Sequence, residues 1–373
     1  KNTISLMLAN DVKANTAISK IRKYNSALES SLFSDNIDIN VYNNLISTVE
    51  DNLNVLYKYL DLKKKILKLD ELHLYDVYVS LLDDSNDKQY SFDEAKSLVK
   101  NALSVLGDDY SKVLDKAFSE GWIDIYPNVG KVSGAYSSGS YSTNPYILLN
   151  YQGELTDVST LAHELGHSMH SYYSRLNNPY QYSSYKIFVA EVASTVNELL
   201  LAKYMLKNSN DNKEKLDILN RMMELFRTTI YRQTMFACFE KQIYEKEQNG
   251  VVLTAEVIND VYYDLNKKYF GPDVVIDDKI RYEWEKVPHF YYDFYVYKYA
   301  TGLAAACHIV NRILNNEENA VSDYLEFLKT GGRDYPIEEL KIAGVDMNKK
   351  EVIESSIKMF DDVIEEFEKL YNE

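Results

Sequence analysis

Six histidines occur in the chain, and two stand four apart with a glutamate between them, in Leu161-Ala162-His163-Glu164-Leu165-Gly166-His167. On a helix, residues at this spacing lie about 40° apart around the axis and ~6 Å along it. Both imidazoles therefore reach one tetrahedral Zn²⁺. Glu164 follows the first histidine directly, so it sits beside the metal rather than on it. A carboxylate there can take a proton from a water that zinc has made acidic, with a pKa of about 7. His-Glu-x-x-His is the spacing of metalloproteases. Leu155, Val158, Leu161, Leu165 and Met169 flank the motif. Those apolar residues predict a helix lining a cleft, where an imidazole pair without a ligand would be costly.

A catalytic zinc needs a third protein ligand and one open position. Glu191 is the candidate, a single acid inside the apolar stretch from Ile187 to Val196. It follows His167 by 24 residues, enough for the helix to end and a second to return. Glu198 lies seven residues further along the same helix face, where a carboxylate can orient a ligand histidine. The remaining candidates have plainer readings. His170 is off the ligand face and reads as a packing residue or one that supports a ligand from behind. His73 and His308 read as structural, and Cys238 and Cys307 as core thiols, too few for a disulfide framework.

These side chains need helices and one strand to hold them. Gly and Pro number 13 and 6, about 5% of the chain against a usual ~12%. No Gly or Pro precedes Gly107, so long helices are expected there. Asp11 to Phe33 and Asn40 to Leu67 read as helical, and Asp83 to Gln89 as a polar linker. Ser91 with Glu94 is a capping box that opens a helix through Leu103. Asp109 to Glu120 is another. Trp122 to Tyr126, Val132 to Tyr136 and Tyr146 to Tyr151 read as strands of one small sheet, with a loop over Ser137 to Asn144. Thr156 or Asp157 is expected to cap the motif helix, which runs to about Arg175. Lys186 to Lys207, Asp211 to Asn249, Thr254 to Phe270 and Tyr291 to Leu314 are read as helices. Three more close the chain around Val321, Ile337 and Val352. The strand Tyr146 to Asn150 leads into the motif helix, and an extended peptide can pair along such an edge. Gly134 and Ala135 would permit its close approach, and Tyr146 belongs to the same peptide-binding strand.

Composition narrows the class. With 373 residues the chain can bury its own core. Hydrophobic residues at 46% and charged residues at 26% fit an ordinary globular protein. Lys and Arg total 41 against 57 Asp and Glu, a net charge of −16. A nucleic-acid binder would carry a basic face, so that class is disfavoured. The run from Tyr299 to Val310 is too short to span a bilayer. No signal peptide is visible in the first residues, and two unpaired cysteines suit a reducing, cytoplasmic setting. The 33 tyrosines read as compositional bias.

The ordered series KVSGAYSSG (131–139), NPYILLNY (144–151), HELGHSMHSYYS (163–174), FVAEVASTVNE (188–198), RQTMFA (232–237), PHFYYDFYVYKYATG (288–302) and GGRDYP (331–336) resembles the oligoendopeptidase F group of the thimet oligopeptidase family of zinc peptidases. The similarity covers most of the chain. It implies a mainly α fold, a zincin-type helical clamshell lobe with one small β-sheet next to the active-site helix. The zinc would lie at the floor of a channel that admits short unfolded peptides. Family members carry a further N-terminal segment, so the resemblance implies the C-terminal catalytic portion. Residues 1–120 would then contribute to the upper lobe and residues 121–373 form the catalytic lobe. The family pattern also assigns His289, Tyr295 and Tyr299 as hydrogen-bond donors to the reacting carbonyl oxygen. Tyr295 and Tyr299, four apart, are expected on one helix face. One departure stands out. The family's second donor tyrosine is Gly302 here, which leaves Tyr292 and Tyr297 as substitutes to weigh.

Together these readings describe a zinc-dependent endopeptidase of short oligopeptides. Its zinc ligands are His163, His167 and Glu191, and Glu164 is its base. Two rivals are a peptide-binding helical module that does not cut and a zinc aminopeptidase. The first has no use for a base beside the metal. The second needs an acidic anchor for a free amine, and no signature of one is visible. No nucleic-acid or membrane partner is expected.

Overall fold

The structure is a computed structural model that describes residues 1–82 and 88–373. Most of the polar stretch read as a linker, 83–87, lies outside the described residues. The chain is mainly α, 69% helical with small sheets. It divides into two compact units, neither contiguous in sequence. One comprises Lys1–Leu82, Asn220–Thr301 and Asn348–Glu373; the other comprises Asp83–Leu219 and Gly302–Met347.

In the first unit the stretches read as single helices are each two. Asn2–Ile21 is followed by Ala27–Phe33, and Ile39–Asp51 by Leu53–Ile66. Lys23, at φ +65°, turns the chain between the first pair. The helix Lys350–Asn372 packs on Ile39–Asp51 and Leu53–Ile66. It buries Val352, Ile353, Ile357, Phe360, Val363, Ile364 and Phe367, a stripe at the 3.6-residue period. Each such side chain contributes ~1.5–3 kcal/mol when removed from water. The long helix expected from 211 to 249 is Asn212–Phe226, whose residues up to Leu219 belong to the second unit, then one π-helical turn at Arg227–Tyr231, and Arg232–Gln248. A two-residue parallel pair, β1 (Leu72–His73) with a later strand at Val274–Val275, was too short to leave a sequence pattern.

In the second unit Phe92–Leu103 begins at the expected capping box. Glu94 N–H donates to Ser91 Oγ at 3.3 Å, and Ser91 N–H donates to Glu94 Oε2 at 2.8 Å. Three short strands follow: β2 (Ile123–Asp124), β3 (Tyr136–Ser138) and β4 (Tyr146–Leu148), in the order β2-β4-β3. The pairing of β2 with β4 is parallel and that of β3 with β4 antiparallel. Two expectations change. The second strand is not Val132 to Tyr136 but begins at Tyr136 and runs into the Ser/Gly stretch read as loop. Its partner β4 selects the register, Ser137 opposite Ile147, which residue propensity alone does not encode. And β4 is the central strand, so the edge open to a further strand on that side is β3.

The motif helix spans Leu155–Asn177. Neither Thr156 nor Asp157 is its cap residue, which is Glu154. Asp157 instead sits in the first turn, and its Oδ2 accepts from the N–H groups of Gln152 and Gly153 at 2.8 Å and Glu154 at 3.0 Å. An acid there also meets the positive end of the helix dipole. The helix Ala190–Asn208 packs along Leu155–Asn177 more extensively than any other pair of elements.

Candidate metal centre

Gly166 explains that close pairing. A Cβ built on it would lie 2.5 Å from Ala193 O and from Ser194 Cα. Only glycine lets the two backbones approach so closely. Asn197 ties them further, donating from Nδ2 to Ala162 O at 3.1 Å and accepting from the Tyr110 hydroxyl at 2.9 Å. The motif helix thus presents its histidines to the first turns of its neighbour.

At that contact His163 Nε2 and His167 Nε2 stand 3.1 Å apart. Glu191 Oε2 lies 3.5 Å from the first and 3.4 Å from the second. Among the described residues this is the one group of three or more ligating side chains whose donor atoms converge. Ligand bonds of about 2.0–2.1 Å in tetrahedral geometry require donor separations of about 3.3 Å. The three edges bracket that value, and two imidazoles with a carboxylate are a zinc donor set. The residues therefore fit the ion.

The surroundings prepare the donors. Glu198 accepts a hydrogen bond from His163 Nδ1 and a second from Ser159 Oγ at 3.3 Å. A proton held on Nδ1 leaves the Nε2 lone pair facing the site. Ser194 Oγ donates to Glu191 Oε2 at 3.2 Å. By protein groups alone, burial opposes charge on His163, but the Glu198 hydrogen bond and the nearby carboxylates outweigh it and push its pKa up to about 9. Burial likewise works against the charge of Glu191, yet the His167 contact prevails and holds that carboxyl below its ordinary range. Glu164 is only 6% exposed, and its Oε2 has no protein partner. Burial raises its pKa, while His163 and His167 pull it down. A buried carboxylate oxygen without a partner is unusual and asks for a ligand or a water. Gly302, the departure from the family pattern, lies beside the site: a Cβ there would be 3.6 Å from Glu191 Cβ.

Gly134 and Ala135 line an open groove of about 280 Å³, together with Asn150, Gln152, Asp157 and Thr160. Asn150 Nδ2 holds the segment by donating to Val132 O at 3.0 Å and Gly134 O at 2.9 Å. Tyr146 is exposed on β4 opposite Ser138 and is not among the groove residues. Asn150, Asn197 and Gly166 all escaped the sequence reading. Only Gly166 left a signal, a glycine inside an apolar helix.

In the other unit His289, Tyr292, Tyr295 and Tyr299 form an aromatic cluster. The His289 ring stacks on Tyr295 at 5.7 Å and meets Tyr299 edge-on at 6.1 Å, and the Tyr299 hydroxyl donates to that of Tyr295 at 3.4 Å. Tyr295 is not on the helix with Tyr299 as expected: that helix starts at Tyr297. Tyr297 is fully buried against Tyr42, which removes it as a substitute donor, whereas Tyr292 is exposed at the cluster.

The other single residues are structural. His170 is buried, stacked on Tyr185 at 3.7 Å, and burial takes its pKa down to about 3. His73 pairs with Asp277 at 3.2 Å. Cys238 and Cys307 are buried and unbridged, and burial raises both thiols, Cys238 to about 11.

A mainly helical chain with two histidines and a glutamate converging from two packed helices has the build of a metallopeptidase. The sequence matches peptidase family M3 over residues 1–359, and the chain belongs to that family. It is 49% identical over 370 residues to oligopeptidase PepF of Bacillus subtilis (strain 168), covering 99% of this chain and 55% of that protein. Identity to the oligoendopeptidase F homolog of Borreliella burgdorferi is 46% over 374 residues, 100% of this chain and 63% of the relative. The crystal structure of oligoendopeptidase-F from Enterococcus faecium matches with a TM-score of 0.81 at 34% identity, covering 100% of this chain and 60% of that one. The chain thus spans somewhat over half the length of these relatives.

Proposed function

We propose that this chain carries the catalytic machinery of a zinc-dependent endopeptidase acting on short oligopeptides. The observation that carries the reading is the convergence of His163 Nε2, His167 Nε2 and Glu191 Oε2 at 3.1–3.5 Å. These three hold the ion, and Glu198 fixes the tautomer of His163. Bound zinc would polarise the scissile carbonyl and acidify the attacking water. Glu164 takes the proton of that water and delivers it to the departing amine. Its buried, unpartnered Oε2 suits a base that must meet a water rather than a protein donor. His289, Tyr295 and Tyr299 donate hydrogen bonds to the carbonyl oxygen as negative charge develops on it. Gly134 and Ala135 line the groove that takes the peptide main chain, with β3 as the pairing edge; Tyr146, on the central strand, backs that edge opposite Ser138. Recognition through backbone groups suits a peptidase of varied short peptides.

The test is Glu164→Gln. The variant should retain zinc and lose ~10²–10⁴-fold in kcat on an internally quenched peptide, the usual size of a general-base contribution. Undiminished cleavage would remove Glu164 from the mechanism.

A further inference from the structure

Between His289 and Tyr295 the chain passes through two consecutive non-glycine residues in the left-handed region, Asp293 at φ +45° and Phe294 at φ +56°. Each such residue is strained and persists only where its surroundings over-determine it. Here four helices do so. Asp293 Oδ1 accepts from the Tyr244 hydroxyl at 3.0 Å and from the Asn15 side-chain amide. Asp293 O accepts from Ser31 Oγ at 2.8 Å. The Phe294 N–H donates to Glu240 Oε1 at 3.1 Å. The Phe294 ring is 1% exposed, tilted on Tyr244 at 4.6 Å and edge-on to Tyr42 at 5.8 Å.

Glu240 is the most telling of these groups. It is fully buried, and its second oxygen has no partner. Leaving a carboxyl dry and half-satisfied is unfavourable, and a core position has no need of one. Its other oxygen, Oε1, accepts from the backbone of the second left-handed residue. The turn then aims alternate side chains oppositely. Phe294 enters the core, Tyr295 joins His289 and Tyr299 in the aromatic cluster, and Tyr297 returns to the core on Tyr42.

We infer that Glu240 and Asp293 are positioning residues: with Tyr244 and Asn15 they clamp the Asp293–Phe294 turn in its left-handed form and so fix where the Tyr295, Tyr299 and His289 donors point. This inference rests on the proposed reading of those three residues as donors to the substrate. A donor displaced by about 1 Å can cost ~10²-fold in rate, so such a clamp has a kinetic consequence beyond stability.

The experiment measures kcat, KM and Tm of the zinc-loaded protein with a quenched peptide. It compares Tyr244→Phe, Glu240→Leu and Glu240→Gln, with Tyr299→Phe and His289→Ala as references. Tyr244→Phe, which deletes one hydroxyl, should lower kcat ~10-fold with KM within ~2-fold, the signature of an interaction expressed in the transition state. Glu240→Leu should lose more. Glu240→Gln, whose side-chain carbonyl still accepts from Phe294 N–H, should recover most of that loss. In the zinc-free protein, amide exchange across 288–296 should quicken in Tyr244→Phe while Tm falls by only a few degrees. Unchanged kcat in Tyr244→Phe would overturn the clamp, as would a Gln variant no better than Leu. If Glu240→Leu does not fold, Tyr244→Phe and the exchange data still decide. Full activity in both Tyr299→Phe and His289→Ala would instead overturn the donor reading beneath it.

Discussion

Gly166 shows how much one residue without a side chain can carry. Its missing Cβ is what lets Leu155–Asn177 and Ala190–Asn208 touch, because any substituent would meet Ala193 O and Ser194 Cα at 2.5 Å. Gly166→Ala should therefore part the helices and displace Glu191 from the histidines. An overpacked contact of this kind costs ~1–3 kcal/mol. The larger effect falls on the metal, and zinc affinity should drop at least ~10-fold. Competition with a chromogenic chelator measures it; wild-type affinity with lowered Tm would reduce Gly166 to a packing role. The convergence of His163 and His167 was legible because helical geometry converts an i, i+4 spacing into a common direction. Glu191 was legible as an acid where an apolar run gives no reason for one. Glu198 had the same spacing logic, and it reaches His163 Nδ1. Gly302 was noticed only as a departure from a pattern, and its place beside Glu191 needed coordinates.

At the scale of elements, local signals worked where one segment determines its own structure. The Ser91–Glu94 capping box opened a helix as expected, and Val158, Leu161, Leu165 and Met169 line the buried face of the motif helix. They failed where a distant partner decides. The β3 strand lies in a Ser-rich stretch because β4 pairs with it, and Tyr295 falls outside its helix because the Asp293–Phe294 turn intervenes. Ile147 and Leu149 donate to Trp122 O and Asp124 O, on the β2 side. Alternation then turns Tyr146 and Leu148 toward β3 and leaves the N–H and C=O of Ser137 on the open edge. Ser137→Pro removes that outward donor and should raise KM several-fold. Ser137→Ala serves as the control for the lost Oγ contact with Ser168 at 2.8 Å. Equal KM values for the two variants would exclude β3 as the peptide-pairing edge.

Across the whole molecule, buried acids make stability depend on pH in a direction opposite to that of paired carboxylates. Burial pushes Glu240 up to about 8, with Asp293 and Asp11 adding to the rise, and pushes Glu339 up to about 7. Such a group binds its proton more tightly in the folded chain than in the unfolded one. Its contribution is fully present below the ordinary carboxylate range and is lost as pH rises through the folded value. For Glu240 the loss is on the order of a few kcal/mol. Glu240→Gln should match the wild type in urea unfolding near pH 5 and exceed it increasingly toward pH 8.5, with chelator present throughout to remove the metal's own linkage. Parallel stability curves would show that Glu240 is ionised in the native protein.

Metal binding at this site requires one carboxylate from a second helix to join two imidazoles. The most direct measurement is equilibrium zinc binding by the wild type and Glu191→Ala, read as zinc per chain after dialysis against a zinc buffer. One zinc per wild-type chain, with affinity falling at least ~100-fold when the third of three ligands is removed, is the predicted result. Equal zinc affinity in the two proteins would contradict it.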